Sequence, residues 1–373
     1  MLKGQLASVE VAISDPSAAD KRLFEPMKFA GAAGLAGDVA EFSGAFTMVK
    51  PGVQLASISG QHNLKTASGS LTFTPTPMIF QPGGFQPSAL SPLLRGPANV
   101  AGRVDISGGA SWTPDGLKSN ATVELKKLGF ALASAGVFEG VSGKVDINDV
   151  AKMTSAPGQT ISIDKVTLGL PIEKGMIRFQ LIGFDAIRVI GAEWPFVGGF
   201  IRVEPVDFKF NANKNTVVAD AVDWDLGKLV ELFQLKDVKL QGSISGKFPV
   251  AFSTGSATVD HAQLQASSKG GVIQYTGSTG DAAGQSDSKA KMLFDALKDF
   301  HYTLLQAELN GDITGRMILA LNLEGRNPSV LSGQVFKTNI TLDSELMNLL
   351  NTTNRGDPTV NAVIGRITGA TPD

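Results

Sequence analysis

Read with a period of two, residues 175–220 resolve into strands and almost nothing else. Ile177, Phe179 and Leu181 fall on one face, with Arg178 and Gln180 on the other. Ile187 and Val189 repeat the pattern around Arg188, and Ile201 and Val203 repeat it around Arg202. Val206, Phe208 and Phe210 then alternate with Asp207 and Lys209. The breaks fall where a chain can reverse: Trp194-Pro195, Gly198-Gly199, Pro205 and the Asn-rich run 211–215. This pattern predicts an antiparallel meander with one apolar and one polar face.

The same alternation recurs along most of the chain. Residues 5–13 set Val9, Val11 and Ile13 against Glu10. Residues 15–30 break the pattern and read as a loop or short helix, and residues 31–50 read as strands of small residues. Strands follow near 53–59 and 69–74, then a Pro-rich connector over 81–99 with one helical turn after Ser88. Alternation returns from Val100 to Ile147, with turns at Pro114-Asp115-Gly116 and Ala135-Gly136. Further on, Leu319, Leu321 and Leu323 share a face, as do Phe336, Ile340 and Leu342 together with Thr338. Three helices have a signal. Asp225 is placed to cap one carrying Leu226, Leu229, Val230 and Phe233. Ser286 or Asp287 caps a second with Ala290, Leu293, Phe294 and Leu297, and Ser344 a third through Leu346, Met347, Leu349 and Leu350. Each reads as a lid on a sheet. Residues 269–288 read as a mobile loop. The fold expected is all-β with a few short helices, one region over 1–373 with a loose subdivision into 1–160 and 161–373.

A five-residue pattern recurs four times: apolar, small, Gly, basic, apolar. It appears as Val100-Ala101-Gly102-Arg103-Val104, Val141-Ser142-Gly143-Lys144-Val145, Ile244-Ser245-Gly246-Lys247-Phe248 and Ile313-Thr314-Gly315-Arg316-Met317. In a strand the glycine falls on the apolar face and the basic residue points the other way. A missing side chain there lets the strand bend or another backbone come close. The spacings are too irregular for a short-period solenoid.

Composition narrows the partners. The 33 basic and 35 acidic residues nearly cancel, which argues against nucleic acid. The chain has no cysteine, so disulfides and thiolate metal sites are excluded. No apolar run reaches the length of a transmembrane helix, and the first residues lack a signal-peptide core. Phe outnumbers Tyr and Trp, 21 against 2 and 3. Phe has no polar tip and suits a dry interior or an apolar ligand surface, whereas glycan-binding faces recruit Tyr and Trp.

Catalytic chemistry is not expected. His62, His261 and His301 lie far apart without a ligand pattern, and no serine sits in a G-x-S-x-G elbow. Residues 242–247 (GSISGK) are one residue short of a phosphate loop, with Phe248 where Ser or Thr is required. Residues 31–37 (GAAGLAG) have the wrong spacing for dinucleotide binding. Asp220, Asp223 and Asp225 read as a turn and a helix cap. No catalytic residue, metal or cofactor is anticipated.

Several segments carry a family resemblance. These are Gln86-Pro87-Ser88-Ala89-Leu90-Ser91-Pro92, Ser111-Trp112-Thr113-Pro114-Asp115-Gly116, residues 157–171 and Trp194-Pro195-Phe196-Val197-Gly198-Gly199. The series continues with Ser245-Gly246-Lys247-Phe248-Pro249-Val250, Phe300-His301-Tyr302-Thr303-Leu304-Leu305 and Leu323-Glu324-Gly325-Arg326-Asn327-Pro328. In this order they resemble the C-terminal region of YdbH-type proteins, of the AsmA-like group that includes TamB. The resemblance implies an elongated, coiled antiparallel sheet forming an open apolar groove, of the β-taco or repeating β-groove type. It also implies non-enzymatic phospholipid carriage through the periplasm of Gram-negative bacteria towards the outer membrane. The inner-membrane anchor would lie outside this chain. Ile177, Phe179, Leu181, Ile201, Val203, Phe208, Phe210, Leu319, Leu321 and Leu323 are then candidates to line the groove. The strand through Phe336, Thr338, Ile340 and Leu342 is a candidate edge for a small outer-membrane lipoprotein pairing by strand addition. A structural or adhesin-like β-sandwich would give the same alternation with no lipid surface.

Overall fold

The computed structural model describes residues 3–19, 22–133, 135–210, 212–235, 237–277, 288–313, 315–345 and 367–372. The first strands are β1 (Lys3–Ile13), β2 (Met27–Ala36), β3 (Val39–Met48), β4 (Gln54–Asn63), β5 (Ser68–Pro75) and β6 (Met78–Phe80). After two short 3-10 turns at Pro87–Ala89 and Pro92–Leu94 come three long strands, β7 (Ala98–Thr113), β8 (Gly116–Leu132) and β9 (Gly136–Asp149). β10 (Thr154–Ser155), β11 (Gln159–Leu168), β12 (Leu170–Leu181), β13 (Ala186–Phe196), β14 (Gly199–Val203), β15 (Val206–Lys209) and β16 (Lys214–Asp225) follow. Helix α1 (Leu226–Leu232) precedes β17 (Val238–Leu240), β18 (Ser243–Ser253), β19 (Ser256–Ala266) and β20 (Gly271–Tyr275). Helix α2 (Ser288–Leu297) leads into β21 (Phe300–Asp312), β22 (Arg316–Arg326), β23 (Phe336–Glu345) and β24 (Ile367–Pro372). The strands form an antiparallel sheet that does not close into a barrel.

The chain forms two compact units. One comprises residues 1–167, 174–191 and 205–212; the other comprises 168–173, 192–204 and 213–373. In the first, β1 to β5 pair in succession, β5 passes to β7, and β7, β8, β9 and β11 follow. In the second, β14, β16, β18, β19, β21, β22, β23 and β24 pair in that order, and β17 and β20 lie beside the first half of β21.

The recurring five-residue pattern has a local explanation in two of its copies. Asp223 and Lys127 both adopt a left-handed backbone, φ 51° each, and interrupt the ladder of their strand. The Asp223 N–H donates to Ser245 Oγ at 2.9 Å, and the Lys127 N–H donates to Ser142 Oγ at 3.0 Å. The serine of the pattern thus satisfies a backbone donor that the bulge on the preceding strand releases. The following glycine admits the next strand: a Cβ on Gly246 would meet the backbone of Gln263 and Leu264, and one on Gly143 that of Thr160. In the first copy Gly102 has φ 119° within a shift of register in β7. The fourth departs from the expectation of a strand bend, because Gly315 stands in the turn between β21 and β22.

Other expectations also change. Residues 269–288 are not loop throughout, since 271–275 form β20, paired on both sides. The backbone of Ser344 pairs with Met317 near the end of β23, and the helix it was expected to cap, 346–350, lies outside the described residues. Ser286 and Asp287 also lie outside them, but the helix they were expected to cap is α2, with Leu293 and Phe294 buried and Leu297 packed on the core. The α1 cap is as expected: Asp225 Oδ1 accepts from the Lys228 N–H at 3.0 Å. No helix among the described residues is long and apolar enough to cross a membrane.

Candidate functional site

Alternation along strands becomes continuity across them once the register is fixed. In the second unit, direct cross-strand partners run Trp194, Ile201, Ala221, Gly246, Leu264, Ala307, Leu321 and Ile340. One residue along, the opposite face reads Glu193, Arg202, Asp220, Lys247, Gln263 and Glu308. Here neighbours attract: Arg202 Nε lies 2.6 Å from Glu193 Oε2, and Lys247 Nζ 3.1 Å from Asp220 Oδ1, with Glu204 as a second partner. A parallel apolar row joins Ala192, Val203, Ala219 and Phe248. Beyond the bulge between β18 and β19, Ala262, Leu309, Leu319 and Leu342 continue it.

One end of this face is covered. Leu226 and Val230 of α1 and Leu293, Phe294 and Ala296 of α2 are buried. Leu226 and Ala296 belong to a core that includes Ile273, Phe300, Tyr302, Leu323 and Phe336. Leu309, Leu319, Leu321 and Ile340 pack at its margin and stay partly exposed, as do Ile201 and Val203. Leu323 and Thr338, expected on accessible surfaces, are instead 2% and 3% exposed.

The first unit builds its apolar face from smaller residues. The partners run Val9, Gly31, Gly44, Ile58, Phe73, Gly108, Ala121 and Ile147. Aromatic rings lie over the glycine gaps: a Cβ on Gly31 or Gly44 would meet the Phe29 ring, and one on Gly60 the Phe42 ring. The next face residues are Ile177, Phe179 and Leu181, which gather with Val145, Ile147 and Ile187 in a core where Phe179 is buried. Phe208 pairs with Ile187. Phe210 lies beyond the end of β15, 57% exposed, so the alternation that placed it in a strand fails where the strand ends. The opposite face again carries ion pairs. Asp105 is gripped by Arg103 and Lys126 at 2.9 and 2.8 Å, and these hydrogen bonds hold its carboxyl below the usual range.

The candidate residues therefore form one set in each unit. Ile177, Phe179, Leu181 and Phe208 belong to the first. Ile201, Val203, Leu319, Leu321, Leu323, Phe336, Thr338, Ile340 and Leu342 belong to the second. The strand through Phe336–Glu345 is not terminal, because β24 pairs along it at Phe336, Lys337, Thr338 and Ile340. Sequence reasoning missed His62, which stands on the small-residue face and accepts a hydrogen bond from Trp112. No signal local in sequence links the two, since 50 residues separate them. No cluster of His, Asp and Glu suited to a metal ion occurs among the described residues.

A family model described as YdbH-like, intermembrane phospholipid transport protein YdbH, matches residues 8–363. No curated protein and no solved structure matches the chain.

Proposed function

We propose that this chain, which belongs to the YdbH-like family, carries the acyl chains of phospholipids on its apolar sheet faces during intermembrane transport. The observation that carries this reading is the pair of cross-strand rows, one apolar and one charged, set one residue apart over successive strands. An acyl chain leaving a bilayer loses roughly 0.8 kcal/mol for each CH₂ put into water. In the row Ile201, Leu264, Ala307, Leu321 and Ile340 the strands stand about 4.8 Å apart; Ile201, Leu321 and Ile340 are partly exposed and offer a CH₂ an apolar neighbour, while Leu264 and Ala307 are buried between them. Carriage of this kind requires no catalyst, only surface. The family implies intermembrane transport, and hence the periplasm. The direction towards the outer membrane, an anchor elsewhere in a longer protein and a lipoprotein partner at a sheet edge are the finer parts of the proposal.

Photocrosslinking tests it. A photoreactive residue at Leu321, Leu319 or Ile201 should capture phospholipid in a chain that still melts cooperatively. The same residue at Lys209 is the control, on the face opposite Phe208. Capture no greater at the three apolar positions than at Lys209 would overturn the reading. Phe179 and Leu323 should capture little, because they form the floor beneath neighbouring side chains.

A further inference from the structure

The row nearest the β4–β5 and β7–β8 turns runs Leu35, Ala40, His62, Gly69, Trp112 and Leu117. His62 is its one ionisable side chain. Trp112 Nε1–H donates to His62 Nδ1 at 3.0 Å, with the two rings stacked at 6.0 Å between centroids. The indole lies over Gly69, where a Cβ would stand 2.3 Å from a ring carbon. Leaning that way, it leaves its partner Leu117 60% exposed at the end of the row. An imidazole that accepts at Nδ1 is neutral and holds its proton on Nε2. That Nε2–H has no partner among the described residues and is not among their buried unsatisfied groups. A fixed donor is thus presented at the edge of an apolar face.

We propose that His62 Nε2–H donates to a phosphodiester oxygen of a phospholipid whose chains lie on this face, with Trp112 as the residue that positions it. The proposal rests on the lipid reading above. Acyl chains on an even apolar surface have no preferred stop; one polar contact at its rim supplies one. An anionic acceptor suits the site because a hydrogen bond to a charged oxygen is stronger than one to a neutral ester. Bulk charge does not explain the site, since Lys65 in the β4–β5 turn and Lys118 at the start of β8 are matched in number by Asp38 and Asp115 in neighbouring turns.

The test is ring-nitrogen NMR of His62 in the full chain, labelled with ¹⁵N-histidine. The ligands are dihexanoyl phosphatidylglycerol, dihexanoylglycerol and inorganic phosphate at equal concentration. The expected result is the Nε2–H tautomer in the free protein and a saturating shift of that proton with the phospholipid alone. An equal shift with inorganic phosphate would assign the site to a free anion and overturn the proposal. A silent His62 alongside lipid capture at Leu321 would overturn it and leave the lipid face standing, whereas loss of both would remove the lipid face as well. Trp112→Phe keeps a ring over Gly69 and removes the donor. It should mix the tautomers and weaken phospholipid binding about twofold, by the share of imidazole that no longer carries its proton on Nε2, with dihexanoylglycerol unaffected. His62→Leu should lose the preference for phosphate altogether, about fivefold, the scale of one hydrogen bond. Wild-type phospholipid preference in both variants would overturn the assignment.

Discussion

At the scale of single residues, the Ser-Gly-Lys copies show how a short motif shapes a sheet. Ser245→Ala leaves the Asp223 N–H without its acceptor and should cost about 1–2 kcal/mol. Gly246→Ala forces a Cβ against the carbonyl of Gln263 and should cost about 2–3 kcal/mol. Denaturant unfolding of the two variants checks both, and the glycine should be the costlier loss. His261 gives a pH-dependent counterpart. It sits on a bulge with φ 49°, and its Nδ1 meets Glu308 Oε1 at 2.6 Å, which raises its pKa above the ordinary 6.5. Its contribution to stability is complete below 6.5 and is lost as pH rises through the raised value. The melting-temperature gap between the wild type and Glu308→Gln should therefore narrow as pH rises from 6 towards 8. The Gly-basic motif was legible in the sequence, but its purpose was not. The acceptor role of Ser142 and Ser245 depends on Lys127 and Asp223 in other strands.

Among the elements, periodicity revealed the long strands because each presents one face to apolar neighbours and the other to water. Strands β12 to β16 follow the alternation read between 175 and 220. β20 escaped because its five residues lie in a Gly- and Ser-rich run, and what orders them is pairing with β17 and β21. Asp225 was recognisable as a cap because a capping side chain acts within its own turn. Asp225→Ala should destabilise the second unit by about 1 kcal/mol. Since Leu226 and Val230 hold α1 on the sheet, hydrogen exchange should rise first in α1 and at Val238–Leu240. Ser344 had the same residue-level signal as a cap; its backbone pairs with Met317, and 346–350 lie outside the described residues.

For the molecule, the ends of the ladder matter most. Thr338 pairs with Leu323 on one side and Ala370 on the other, so its strand is interior where β24 accompanies it. Thr338→Pro should then lower stability by about 3 kcal/mol, a loss of ladder that thermal unfolding would register. A partner strand that added to this end would meet β24 instead. A chain ending at Glu345 should bind such a partner differently from the full chain, and identical binding would place the contact elsewhere. The sequence could show that rows of apolar side chains exist along strands, whereas their joining across strands is a property of register. That joining has a kinetic consequence. Were the uncovered rows to carry lipid as proposed, a hydrocarbon chain crossing them would meet an apolar row at successive strands. Its motion would then be a one-dimensional random walk, whose crossing time grows with the square of the number of strands. Net flux along such a track would follow whichever end is supplied and whichever is drained.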